Sequence, residues 1–89
     1  MFYCYVLKSE RTGQRYVGSC EHLEERLTRH NLGNVPATKH VTPWIMLHRE
    51  AFHTRRQAVS RELYYKTGRG RDDLDRMLGR SPRRLAPTS

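Results

Sequence analysis

The sequence predicts an α+β fold, a small antiparallel sheet covered by helices with elements in the order β-β-α-β-α-α. Two runs rich in aromatic and β-branched residues flank a Thr-Gly turn near the start of the chain. A third such run follows a proline-bounded loop. The remaining segments repeat apolar residues at helical spacing. With 89 residues, the chain has room for one domain with a small core.

Phe2 to Lys8 and Arg15 to Ser19 form the expected hairpin, joined through SERTGQ. If Ser9 pairs with Gln14 across a four-residue loop, Leu7 faces Tyr16 and Tyr5 faces Gly18. That register puts Tyr3, Tyr5 and Tyr16 on one side and leaves a gap beside Tyr5, because Gly18 has no side chain. A slip of one residue would send Tyr16 to the opposite face. The same register points Cys4 and Cys20 to opposite faces, so they are poor disulfide partners and read as free thiols of a reducing, cytoplasmic compartment.

Ser19 is a candidate cap for a helix from Cys20 to Asn31, with Glu21, Glu24 and Glu25 near its positive end. Leu23 and Leu27 mark its buried stripe, and Arg26 and His30 fall on that same side. Residues 32–43, LGNVPATKHVTP, read as a loop carrying Lys39 and His40. Trp44 to Phe52 is the third strand. Strict alternation there would set Trp44, Met46, His48, Glu50 and Phe52 on one face and Ile45, Leu47 and Ala51 on the other. Thr54 to Gln57 fits a capping box, opening a helix to about Thr67 that stops at a left-handed Gly68. Its stripe is Ala58, Val59 and Tyr65, with Glu62 inside it. A last helix, Arg71 to Leu78, is held by Leu74, Met77 and Leu78. From residue 79 the chain, GRSPRRLAPTS, is basic and rich in Pro and Ser, so it is expected to be a disordered tail after a domain of residues 1–78.

Lys and Arg number 17 against 9 acids, a formal charge of +8, which points to a polyanionic partner, nucleic acid before an anionic membrane surface. No apolar run approaches the ~20 residues of a membrane span. No spacing of the five histidines and two cysteines supplies four zinc ligands.

One constellation remains for chemistry: Tyr5 and Tyr16 from the hairpin, Arg26 and His30 from one helix, Glu62 from another. These residue types suit metal-assisted phosphodiester hydrolysis, the carboxylate holding a divalent ion on a phosphate oxygen and the arginine countering charge on phosphorus. A tyrosine base, with a reference pKa near ~10, starts from a deficit of about 4 kcal/mol at neutral pH, which nearby cations can reduce. Taken singly, each residue has a plainer reading. The tyrosines are ordinary sheet aromatics, His30 a partly buried core histidine, and Arg26 a solvated charge. Glu62 would be half of a salt bridge to Arg26 or Lys66.

Tyr3-Cys4-Tyr5, then Tyr16-Val17-Gly18, with Arg26, His30 and Glu62 following in order, resembles the GIY-YIG nuclease domain. The stretches ERLTRHN, ATKHVTPW and SRELYYKTGRGR resemble its small stand-alone bacterial members. The resemblance spans Phe2 to Leu78. It implies a three-stranded antiparallel sheet flanked by helices and an endonuclease that cuts DNA with one Mg²⁺ or Mn²⁺ on Glu62. By the same analogy Tyr5 and Tyr16 position and activate the attacking water, Arg26 contacts the scissile phosphate, and His30 hydrogen-bonds the base or the phosphate. Related domains serve in DNA repair, among other roles, and cut branched or damaged DNA. Tyr-Cys-Tyr departs from Gly-Ile-Tyr in the first motif but keeps its tyrosine. Lys39, His40, Arg55, Arg56, Arg69 and Arg71 are the expected phosphate-contacting surface. Two other readings are a silent binding module of the same fold and a nuclease subunit whose protein partner supplies specificity.

Overall fold

A computed structural model describes residues 1–79. The elements follow the expected order: β1 (Phe2–Ser9), β2 (Arg15–Cys20), α1 (Leu23–Asn31), β3 (Trp44–Phe52), α2 (Arg55–Tyr65) and α3 (Gly68–Leu78). The sheet is antiparallel with β1 in the middle, in the order β2-β1-β3. Of the expected tail, residues 80–89 lie outside the described residues. Gly79 closes α3 with a φ of 88° and donates its N–H to Asp75.

The hairpin is set by its turn. Ser9 and Gly13 are bridged by backbone hydrogen bonds, Ser9 N–H reaches Gln14 O at 2.9 Å, and Gly13 takes the left-handed φ of 79° that closes the loop. The buried Ser9 hydroxyl accepts from Arg11 N and Thr12 N and donates to Val41 O, tying the turn to the loop before β3. The expected register follows, with Tyr5 opposite Gly18 and Leu7 opposite Tyr16.

Helices cover both sides of β1, which is why Cys4, Tyr5, Val6 and Leu7 are all buried without alternation. On one face Tyr5, Leu7, Cys20 and Trp44 pack with Leu23 and Leu27 of α1. On the other Cys4, Val6 and Val17 pack with Tyr65 and Leu74 of α2 and α3. The two thiols are accordingly free and on opposite faces. Burial pushes the Cys4 thiol up to about 12.

Several boundaries differ from expectation. Ser19 does not cap α1. Pairing continues through Cys4–Ser19 and Tyr3–Cys20, so Ser19 is a strand residue and His22 precedes the helix, with no side-chain cap. The third strand does not keep one face. Val6 pairs with His48 but Leu7 with Met46, a bulge that spends Leu47 as an extra residue. Trp44 and Met46 therefore join the α1 face, while Phe52 packs on the α2 face.

The α2 capping box is formed by Thr54 and Gln57, yet the helix ends at Tyr65. Thr67 makes the corner, its hydroxyl donating to Tyr64 O and accepting from Gly70 N, so Gly68 begins α3 instead of terminating α2 in a left-handed conformation. Val59 is outside the stripe and 37% exposed, while Ala58 and Tyr65 are buried as expected.

Two glycines are required by close approach. A Cβ on Gly70 would stand 1.9 Å from the Tyr64 carbonyl oxygen, where α3 turns back on α2. Gly70→Ala is expected to cost about 1–3 kcal/mol of stability in urea unfolding; an unchanged midpoint would contradict this packing. A Cβ on Gly18 would stand 2.5 Å from the Tyr5 hydroxyl, so the gap beside Tyr5 is filled by its own ring. Gly18→Ala should displace that ring and abolish the NMR cross-peaks between the Tyr5 and His30 side chains. Cross-peaks at wild-type intensity would show the ring unmoved.

Candidate functional site

The site grows from the hairpin register. Tyr5 and Tyr16 share the face that α1 covers, their ring centroids 6.4 Å apart. His30, fully buried on the last turn of α1, closes the group: its ring lies 5.9 Å from that of Tyr5 and 5.0 Å from that of Tyr16. Its Nε2 is 3.1 Å from the Tyr5 hydroxyl, and its Nδ1 is 2.8 Å from the hydroxyl of Thr38. The Trp44 ring flanks both Tyr16 and His30.

The loop is held against this cluster by one reciprocal clamp and one single hydrogen bond. Asn31 bonds the Trp44 backbone on both sides, accepting from its N–H and donating to its C=O. The Trp44 indole in turn donates to Thr38 O at 3.0 Å. No buried side-chain polar atom among the described residues lacks a partner.

Electrostatics separate the members. Burial drives the Tyr5 phenol well above its ordinary value, the nearby Tyr16 and the negative charge of Glu62 adding to the effect and Arg26 opposing it. Burial likewise lowers His30, and Arg26 lowers it further, so the imidazole is held neutral. Arg26 thus acts on both through its field. It makes no ion pair among the described residues. The Tyr16 hydroxyl has no hydrogen-bond partner among them either, and its ring is half-buried.

Glu62 comes from the other face. Its carboxylate accepts from the Ser19 hydroxyl at 2.7 Å and from Lys66 at 2.7 Å. Ser19 follows Gly18 on edge strand β2, and neighbouring strand residues point to opposite faces. Glu62 therefore meets the tyrosine cluster around the sheet edge. The expected five thus divide: Tyr5, Tyr16 and His30 are in contact, while Arg26 and Glu62 reach Tyr5 by charge.

No group of three or more His, Cys, Asp or Glu side chains among the described residues could form a metal cage. The expected nucleic-acid residues are all exposed, and they are spread over both faces. Lys39 and His40 follow Thr38 in the loop on the tyrosine side, with Arg11 donating to the His40 carbonyl. Arg55 lies over the Phe2 ring and 3.8 Å from Glu21. Arg56 lines a shallow groove of about 420 Å³ with Phe52, Arg61 and Tyr64. Arg69 and Arg71 sit on the first turn of α3.

Sequence reasoning missed Thr38, Asn31 and Trp44 as supports of the site, and mistook Ser19 for a helix cap. Only the nearness of Ser19 to the second motif could have signalled its part. Asn31 and Thr38 act through partners 13 and 8 residues away, which a helix-terminal Asn and a loop Thr do not advertise.

No helix among the described residues is long and apolar enough to cross a membrane. Comparisons with curated proteins and with solved structures gave no match. The family model described as the GIY-YIG catalytic domain matches residues 1–73. The matched residues take in the hairpin that carries Tyr5 and Tyr16, the whole β2-β1-β3 sheet, α1, α2 and the first part of α3. The chain belongs to the GIY-YIG catalytic domain family, whose members are nucleases that act on DNA.

Proposed function

We propose that this protein is a metal-dependent endonuclease hydrolysing DNA phosphodiester bonds at the Tyr5–Tyr16–His30 cluster. The observation that carries the proposal is the buried Tyr5–His30 hydrogen bond beside a Tyr16 hydroxyl with no partner among the described residues. Tyr5 is 2% exposed and held firmly in its phenol form by burial. We therefore assign contact with the attacking water to Tyr16, and to Tyr5 the anchoring of the imidazole. Arg26, uncommitted to any described carboxylate, contacts the scissile phosphate and offsets charge as the water oxygen bonds to phosphorus.

Glu62 suits Mg²⁺ or Mn²⁺. A hard ion of this kind keeps several waters and takes one or two carboxylates plus substrate phosphates, so a protein cage is not needed. Ser19 fixes one oxygen of Glu62, and the other is held by a lysine whose side chain is 47% exposed. When bound, the ion would supply Lewis acidity to a phosphate oxygen. Lys39 and His40 on the same side as the cluster, and Arg55 near the end of β2, serve as phosphate contacts. DNA repair acting on branched or damaged DNA is a setting consistent with a domain that reads backbone and shape.

The test is cleavage of labelled duplex, single-stranded and branched DNA with Mg²⁺, Mn²⁺ or EDTA. Tyr16→Phe and Glu62→Ala should each lose about 10²–10⁴-fold in rate with binding retained, and Tyr5→Phe less. Tight binding without cleavage of any substrate would instead favour the silent or partner-dependent module.

A second expectation concerns pH. His30 has a folded-state pKa below the ordinary 6.5, so below that value the unfolded chain binds the extra proton first. The contribution of His30 to stability is fully present above about 6.5 and is lost as pH falls through its lowered folded value. Urea unfolding between about pH 7 and pH 5 should show this slope in the wild type and a shallower one in His30→Gln. Equal slopes would place the imidazole in water.

A further inference from the structure

Thr38 is required by none of the chemistry above, yet it is 1% exposed and fastened on every side. Its N–H donates to Val35 O, its carbonyl accepts from Val41 N and from the Trp44 indole, and its hydroxyl lies between His30 Nδ1 at 2.8 Å and Val35 O at 3.4 Å. We propose that Thr38 is a positioning residue: it holds His30 in the Nδ1–H tautomer and so makes Tyr5 the donor in the Tyr5–His30 hydrogen bond. Its bearing on catalysis rests on the nuclease reading; its effect on the imidazole does not.

With His30 neutral, the Tyr5–His30–Thr38 chain contains three polar hydrogens, one on each side chain. In the proposed arrangement Nδ1–H donates to Thr38 Oγ1, the Thr38 hydroxyl donates to Val35 O, and the Tyr5 hydroxyl donates to Nε2. Every hydrogen has an acceptor. In the reverse arrangement Thr38 donates to Nδ1 and Nε2–H donates to Tyr5, whose own hydrogen then meets no acceptor among the described residues. A buried, unpaired donor is costly, so the first arrangement prevails.

The direction of this chain decides what Tyr5 offers to an incoming group. With its hydrogen committed to Nε2, the Tyr5 oxygen presents only lone pairs toward the Tyr16 side of the cluster, and water contact stays with Tyr16. Reversed, it presents a hydrogen, suited to a phosphate oxygen. Thr38 sets that polarity from outside the reacting groups, as the partner of one ring nitrogen sets the role of the other.

The experiment is ¹⁵N NMR of the histidine-labelled protein at neutral pH, in wild type, Thr38→Ser and Thr38→Val. The wild type and Thr38→Ser should show His30 with a pyrrole-type Nδ1 and a pyridine-type Nε2. Thr38→Val, nearly the same size, should lose or invert that pattern. An Nε2–H imidazole in the wild type, or an unchanged Nδ1–H in Thr38→Val, overturns the proposal. If Thr38→Val does not fold, the wild-type and Thr38→Ser spectra decide, Nε2–H in either being fatal. In the cleavage assay Thr38→Val should lower kcat by about 10–100-fold with KM little changed, and Thr38→Ser should restore it. Should the wild type cleave no DNA, the nuclease reading falls while the spectra still judge Thr38.

Discussion

The pairing of β1 with β2 is the constraint on which the site depends. Side chains alternate along a strand, so a shift of one residue would turn Tyr16 away from His30 and put it among the residues facing α2. The turn prevents this shift. Ser9, buried and bonded to the backbone of Arg11, Thr12 and Val41, fixes where β1 ends, and Gly13 supplies the left-handed residue that brings the chain back. Tyr5 then lies across Gly18, the one partner that leaves room for its ring. The placement of Tyr5 and Tyr16 on one face is thus a consequence of Ser9, four residues from Tyr5, and Gly13, three residues from Tyr16.

Edge position explains how residues from two helix layers act on one centre. A central strand buried on both faces would separate α1 from α2 by the full sheet. Because β2 is an edge strand, Gly18 opens the tyrosine face while Ser19, next in sequence, meets Glu62 on the other. The opposing effects of Glu62 and Arg26 on Tyr5 are the electrostatic trace of this proximity. Arg26 lies on the face of α1 that carries Leu23 and His30, where half-burial weakens its contact with water and strengthens its field on the ring nitrogens.

Much of this was legible in the sequence because it follows from local rules. The hairpin register came from a turn signal and period-two alternation, and the placement of Arg26 and His30 beside Leu23 came from helical period. What could not be read depends on distant partners. Nothing in WIMLHREAF announces the bulge that divides Met46 from His48, because it is set by where β3 meets β1. Ser19 satisfies the local rule for a helix cap, and pairing with Cys4 overrides that rule. Gly68 has the composition of a helix stop, but the Thr67 hydroxyl makes the corner without it. Thr38 became visible only when the loop was folded onto His30.

The partners of Glu50 and Glu62 show why Glu62, and not Glu50, is the candidate ion ligand. Glu50 is surrounded: His48 and Tyr65 bond one oxygen, and Arg61 approaches the other at 3.0 Å. Burial raises its pKa, but those hydrogen bonds and the arginine more than offset this and hold the carboxylate below its ordinary value. Removing Glu50 from this network would leave the Tyr65 hydroxyl without its acceptor and Arg61 without its carboxylate, and charge-assisted bonds of this kind are worth about 1.5–3 kcal/mol each. Among the described residues Glu62 has only Ser19 and Lys66, and the lysine is an exposed partner one turn away at the cap of the same helix, of a class worth about 0.3–0.5 kcal/mol. On the proposed reading a divalent ion would displace that ammonium at little cost, with Ser19 still bonded to the other oxygen. Glu50 is therefore committed to joining α2 to the sheet, and Glu62, which the same helix presents toward the edge, is left able to exchange a partner.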